Sequence, residues 1–414
     1  MHVKNYILGA GFTGLSAGFK TGIKIFEASD KPGGICASYS IDGYKFEVGG
    51  GHWIFGADKE VLDFINSFVT TKSYERKSSV YFPDMDLYVP YPLQNHLFYL
   101  PDDIRNKALD EIIKSENKEV NRMEEWLEIN FGKTLCELFF FPFHELYTAG
   151  LYKKIAPQDR FKTPVDKNLI LKGAKEKTPP VGYNVTFVYP QEGLDTLAKK
   201  IAEKCDIKYN KKVVKINLKN KEIFFEDGSS VRYEKIVSTI PLNQIIEMTG
   251  IELGEKPPYT SVLVINIGAI KGEKCPDDHW VYIPRSKTGF HRVGFYSNVD
   301  EIFLPEKSRK EKDRVSIYVE MAFVGGTKIT EEDIKRISNS TVEELRSWRY
   351  IKEVEVVDPT WIEVAYTWEW PNSNWKAKAL EVLRANNIYS TGRYGKWKFQ
   401  GIAESIKDGL GVNV

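Results

Sequence analysis

Glycines at positions 9, 11 and 14 stand between an apolar run, VKNYIL, and a short helical pattern, LSAGFKT. A second apolar run, IKIFEA, follows and carries Glu27 near its end, eighteen positions after Gly9. Bare glycine backbone at the start of a helix offers N–H groups to a pyrophosphate. A carboxylate at the end of the next strand accepts hydrogens from ribose hydroxyls. A lone GxGxxG is only a tight turn, but strand, glycines, helix, strand and acid in this order predict dinucleotide binding.

Two more glycine clusters follow. Gly33 and Gly34 lie in SDKPGGICAS, and Gly49, Gly50 and Gly51 directly precede His52 and Trp53 in FEVGGGHWIF. Glycine removes side chains where backbone must come close to something. A nicotinamide dinucleotide needs no such extra approach points, whereas an extended, permanently held flavin dinucleotide does. The pattern therefore predicts FAD.

The bulk properties set limits around this reading. The chain has 414 residues, long enough for two or three domains and a large core. Lys and Arg number 58 against 57 Asp and Glu, a net charge of +1. That balance gives no footprint for nucleic acid, so any anion must be met by locally placed cations. No apolar run is long enough for a membrane span, and the N-terminus has no signal-peptide pattern. Cys36, Cys136, Cys205 and Cys275 are scattered and read as reduced thiols of a cytoplasmic protein. The six histidines include no pair at metal-ligand spacing, so no metal site is expected.

These groups need a scaffold. The opening reads as βαβ. Residues 57–180 carry helical periodicity in DKEVLDFINSF, DDIRNKALDEIIKSENK and VNRMEEWLEINFGKTLCELFF, broken by YVPYPLQN. From NVTFVYPQEGLDTLAKKIAEK the chain returns to a mononucleotide-domain pattern. SVLVINIGAI, HWVYIP, HRVGFYSN and RVSIYVEMAF then form a second sheet. The C-terminal NNIYSTGRYGKWKFQGIAESIKDGLG is strand, glycine turn and helix start, which brings the chain back to the cofactor.

In this order the motifs resemble those of the flavin-dependent UDP-galactopyranose mutases, nearest to the eukaryotic-type branch. FEVGGGHWIF and GRYGKWKF resemble flavin-contacting segments shared with the wider amine-oxidase and protoporphyrinogen-oxidase superfamily. YVPYPLQN, NVTFVYP, WVYIP and FHRVGFYSN resemble the mutases' substrate segments. The resemblance implies that Gly50, Gly51 and His52 pack beside the isoalloxazine and shift when it is reduced. It places the cofactor among Gly9, Gly11, Phe12, Thr13, Gly14, Glu27, Ala28, Gly33, Gly34, Ser38, Val213, Gly392, Arg393, Ala403 and Glu404. Arg292 and Arg160 are expected to meet a diphosphate from two sides and, with His52, to form the catalytic set. Tyr91, Gln94, Asn95, Asn184, Trp280, Tyr282, Arg393 and Phe399 are expected around the substrate. A planar guanidinium suits a diphosphate because its fork is bidentate and always charged.

The implied fold is α/β: a discontinuous Rossmann-like FAD-binding domain with a helical insert and an antiparallel-sheet substrate domain. Its parts are 1–75, 181–250 and 371–414 for FAD, 76–180 for the insert and 251–370 for the substrate sheet. The implied activity interconverts pyranose and furanose forms of a nucleotide sugar through an adduct on N5 of reduced FAD. The reductant is a cellular one, NADPH or NADH. An FAD-dependent oxidase or desaturase is the alternative. Four departures fall on the substrate side: Phe399 for a usual tyrosine, His144 for Asn or Thr, Thr148 for tryptophan, and Ala403-Glu404 for an Asn-Gln pair.

Overall fold

Side chains on a strand alternate between its two faces, and the first strand shows what each face meets. The computed structural model describes residues 4–115, 118–158, 165–179 and 185–413. Asn5–Leu8 lies at the centre of a five-stranded sheet ordered 207–208, 24–26, 5–8, 235–238, 388–390, with every neighbouring pair parallel. Ile7, Ile25 and Val237 enter one core with Leu15, Leu197 and Ile406 from three helices. Leu8, Phe26, Ile236 and Ile388 enter another with Ile245, Leu383 and Ile223. Both faces are covered, which is why these strands read as continuous apolar runs.

The helix Phe12–Thr21 packs against Leu194–Ala202 and Ile402–Leu410. Gly14 allows it to start tight on the first strand, because a Cβ there would overlap the carbonyl of Gly9. The sheet draws on three separated stretches of chain, and the α/β, discontinuous Rossmann-like architecture follows.

A seven-stranded sheet stands beside it, ordered 351–367, 259–271, 314–324, 292–295, 280–282, 78–82, 87–90. Its pairs are antiparallel except Trp280–Tyr282 with Ser78–Phe82, which is parallel. The expected helical insert over 76–180 thus begins as two strands of this sheet. YVPYPLQN, read as a break, opens on the edge strand Leu87–Pro90, where a proline lacks only a solvent-facing donor.

The helical part follows as Asp102–Lys114, Met123–Leu135, Phe141–Tyr147 and Lys167–Lys175. A single π turn, Cys136–Phe140, leads into the third of these. Such turns insert an extra residue and re-aim the side chains that follow. Phe139, Phe140, Phe143, His144 and Tyr147 all face one cavity. No helix among the described residues is long and apolar enough to cross a membrane. No group of three or more His, Cys, Asp or Glu among them could hold a metal ion.

Candidate flavin and anion site

A cavity of about 880 Å³ runs from the glycine turn of the first βαβ unit to the helical insert. At the βαβ end Gly9, Gly11, Glu27, Ala28, Gly33, Gly34 and Val213 line it. The cap residue Gly11 has no side chain to satisfy the first turn of Phe12–Thr21, and a Cβ on it would stand in open space. Gly401, Ile402, Glu404 and Ser405, the start of the helix Ile402–Leu410, face the same cavity. Two helix N-termini therefore open on one space, each presenting the positive end of its dipole. Glu27 is held by the Ala10 N–H at 2.6 Å, and by the Ser29 N–H at 2.8 Å and hydroxyl at 2.9 Å. Bare glycines, paired helix starts and a fixed carboxylate fit FAD.

The glycine loop 49–51 is clasped from below by Glu47, which has no exposed surface. Glu47 accepts the His52 N–H at 2.8 Å and the Tyr189 hydroxyl at 2.5 Å, and lies 3.7 Å from His52 Nδ1. Burial pushes its carboxyl up, and the neighbouring His52 and Tyr189 oppose that rise. Against the loop's other side stands the strand Arg314–Val324. A Cβ on Gly51 would meet the Tyr318 ring, and one on Gly50 would come within 2.8 Å of Glu320 Oε1. Gly50 also has φ +80°, a conformation that suits glycine. The loop is thus flanked by Glu47 and by the strand Arg314–Val324, and Gly49, Gly51 and His52 line the cavity.

Arg292 and Glu320 are direct cross-strand partners. The guanidinium donates to Glu320 Oε1 and lies 5.7 Å from the centre of the Tyr318 ring. His291 Nε2 lies 3.5 Å from Glu320 Oε2, and the Tyr366 hydroxyl donates to the same oxygen at 3.4 Å. Glu320 is buried, which alone would raise its carboxyl. Arg292 and His291 outweigh burial and hold it down at about 2. Arg292 keeps a 20 % exposed side chain and lines the cavity with His291. The sequence reading missed Glu320, although a lone acid in RVSIYVEMAF signals a buried charge that needs a partner.

Arg393 donates to the carbonyls of Gln400 at 3.1 Å and Ala365 at 3.2 Å. Its guanidinium lies 4.8 Å from the Phe399 ring and 5.5 Å from those of Tyr366 and Tyr394. Arg76, also not foreseen, is a buried cation on the same cavity whose Nη2 donates to the Tyr91 carbonyl at 2.9 Å. Tyr91 and Tyr282 pack with their rings tilted and their centres 4.5 Å apart, and both line the cavity with Trp280. His144 closes this end, its Nδ1 2.7 Å from the Phe140 carbonyl oxygen.

Most expected site residues thus share the cavity, including His52, Tyr91, Trp280, Tyr282, Arg292, Arg393, Phe399, Phe12, Thr13, Gly392 and Glu404. Six do not line it. Gly14 packs on Gly9, Gly50 backs on Glu320, Ser38 pairs with Glu47, and Ala403 lies in the hydrophobic core. Gln94 and Asn95 are buried in a short turn beneath Lys167–Lys175, where a Cβ on Gly173 would overlap the Asn95 carbonyl. Arg160 and Asn184 lie outside the described residues.

Residues 10–410 match the family described as flavin containing amine oxidoreductase. The chain belongs to this family. FAD as the cofactor follows from that membership and from the glycine-lined cavity. Within the family the chain is similar to UDP-galactopyranose mutase. A crystal structure of the reduced mutase superimposes with a TM-score of 0.87 at 25 % identity, over 99 % of this chain and 93 % of that one. A protein assigned as a protoporphyrinogen oxidase from Exiguobacterium sp. 255-15 gives 0.74 at 14 % identity, over 99 % and 97 %. A redesigned putrescine oxidase gives 0.60 at 14 % identity, over 98 % and 97 %. These last two share the amine oxidoreductase fold.

Proposed function

We propose that the protein interconverts the pyranose and furanose forms of a nucleotide sugar on reduced FAD. The observation that carries this reading is the likeness, along nearly the whole chain, to the reduced UDP-galactopyranose mutase. When reduced, FAD supplies a nucleophilic N5 against which an anomeric carbon can be held while the sugar ring opens and closes. The protein's own part is to bind, orient and exclude water. The two helix starts and the glycine turns would hold the FAD pyrophosphate, and Glu27 would meet its ribose. Gly51 and His52, which line the cavity, would sense the redox state of the ring. Arg292 and Arg393 meet the sugar's diphosphate. Tyr91 and Tyr282 offer aromatic faces to the nucleobase. Electrons come from NADPH or NADH in the cytoplasm.

The test uses the fact that an isomerase needs electrons on the flavin but consumes none. Dithionite-reduced protein, held anaerobically, should convert a nucleotide furanose to its pyranose by chromatography, and the oxidised protein should not. The panel should hold hexose, deoxyhexose and pentose nucleotides, because Phe399, His144 and Thr148 depart from the mutase pattern. Sustained oxygen uptake with peroxide release on an amine, without isomerisation of any panel member, would replace this reading by an oxidase.

A further inference from the structure

We infer that Glu47 is a redox-linked proton acceptor, a carboxylate that takes up one proton from solvent when FAD in the cavity is reduced. The inference uses the FAD site and needs nothing from the nucleotide-sugar reading. Its basis is the place of one buried charge. Glu47 has no exposed surface, yet it stands one side chain behind the cavity wall and accepts the backbone N–H of His52 at 2.8 Å. Gly49, Gly51 and His52 themselves line the cavity. His52 Nδ1 lies 2.7 Å from the Gly50 carbonyl oxygen and 3.7 Å from Glu47 Oε2. A carbonyl oxygen only accepts, so this nitrogen carries a hydrogen. The imidazole, 20 % exposed, is the route by which a proton reaches a carboxylate that water does not touch.

A carboxylate buried this deeply calls for a lysine or arginine. Among the described residues none pairs with Glu47, and its ion-pair partner is His52. On its own strand Lys45 is engaged by Asp195 at 2.9 Å. Across the hairpin Ser38 is its register partner, and the Tyr39 hydroxyl is bonded to Asp358. From Thr186–Pro190 comes Tyr189, whose hydroxyl donates to it at 2.5 Å. From Tyr259–Lys271 comes Asn266, whose amide donates to the Glu47 backbone carbonyl at 3.0 Å. The Tyr296 hydroxyl lies 3.4 Å from the backbone nitrogen and oxygen of Glu47. Cys36 and Tyr318 both feel its charge, and Arg393, which Cys36 also feels, is turned to the Gln400 and Ala365 carbonyls. Burial pushes Tyr189, Tyr296, Cys36 and Tyr318 up, so they stay neutral. Beyond Gly50, Glu320 is already held by Arg292.

Two-electron reduction near neutrality adds one negative charge to the flavin ring. Where little water screens them, that charge and the Glu47 carboxylate repel, and protonation of Glu47 removes the repulsion. The balance is complete with a hydride donor of the nicotinamide class. Two electrons and one proton pass to the ring, and a second proton passes from water to a Glu47 oxygen, where an O–H bond forms. The site then holds the same net charge before and after reduction, so an anionic ligand meets no added repulsion from the reduced form. By linkage, a proton held more tightly in the reduced state makes reduction easier as the pH falls.

The experiment is a spectroelectrochemical titration of the FAD-loaded protein between about pH 7 and pH 9, with no sugar present. At these pH values the ring alone takes one proton with its two electrons. Over the interval in which Glu47 titrates, the parent's midpoint potential should fall with pH twice as steeply as the ring alone requires. Glu47→Gln keeps an acceptor for the His52 N–H and should show the single-proton slope over the same interval. Tyr189→Phe removes a donor that favours the charged carboxylate, and should move the steep interval to higher pH. A parent titration with the single-proton slope throughout overturns the inference, whatever the variants do. So does a steep interval that survives in Glu47→Gln, and its loss in His52→Gln would then make His52 the acceptor. If Glu47→Gln fails to hold FAD, Tyr189→Phe decides: a steep interval that stays where the parent has it overturns the inference.

Discussion

A Cβ added to Gly51 would stand 2.5 Å from the ring carbon that bears the Tyr318 hydroxyl. Tyr318 cannot swing aside, because it is fully buried and packed at 4.7 Å between ring centres against Tyr296. Gly51→Ala should therefore cost about 1–3 kcal/mol, the scale of overpacking a filled site. The check is a lowered melting temperature with loss of flavin absorbance on gel filtration. An unchanged melt and full FAD content would mean that the loop has room to move.

Glu320 is the second place where one change should be felt strongly. Removing its carboxylate leaves Arg292 beside a buried gap, so Glu320→Ala should destabilise by about 3 kcal/mol. The pH dependence has a definite sign. Held at about 2 when folded, against about 4.3 when unfolded, the carboxylate contributes stability above the unfolded value. That contribution is lost as the pH falls toward the folded value. Glu47, raised by burial, works in the opposite sense above the unfolded value. Melts between about pH 5 and pH 2 should fall more shallowly for Glu320→Gln than for the parent.

Glu27→Ala should weaken FAD retention by about 1–3 kcal/mol, as for a polar group that loses its partner. The variant also frees the Ala10 and Ser29 N–H groups that the carboxylate now occupies. FAD stoichiometry after dialysis, with fold followed by circular dichroism, separates lost cofactor from lost structure.

Phe399 lies against the Arg393 guanidinium, is 38 % exposed and lines the cavity. Phe399→Tyr adds one hydroxyl beside a cation. If a diphosphate lies there, UDP binding should tighten by about 1 kcal/mol, the net value of one hydrogen bond. Unchanged binding would place the diphosphate elsewhere along the cavity.

The βαβ opening was legible because its information is local. Ile7 and Leu8 alternate between two covered faces, and Gly9, Gly11 and Glu27 follow at fixed offsets. The start of the insert was not. SSVYF is a short run between polar residues, and Pro90 and Pro92 beyond it resemble loop punctuation. Ser78–Phe82 pairs locally with Leu87–Pro90, but it joins the second sheet through Trp280–Tyr282, some two hundred residues away. The same limit hid the partner of Arg292. An arginine in the apolar context of FHRVGFYSN announces that a counter-charge exists, yet Glu320 is chosen by strand register, not by sequence neighbourhood. That Gln94 and Asn95 do not line the cavity has a related reason. Polar side chains in a turn look available to a ligand, and nothing local says that a helix will cover them.

The last strand of the parallel sheet, Ile388–Ser390, pairs with Lys235–Ser238, and the helix Ile402–Leu410 lies against Phe12–Thr21. The contact is close enough that a Cβ on Gly409 would fall 2.7 Å from that of Ser16. On the ribosome this arrangement sets an order of events. The first βαβ unit is made before the insert and the second sheet, but Gly392–Ser405 of its cofactor cradle are made after them, so FAD cannot act as a template while those parts are being made. The insert and the second sheet must stay out of aggregation without it. Supply of FAD during synthesis should then raise the yield of folded protein only after the helix Ile402–Leu410 has been made.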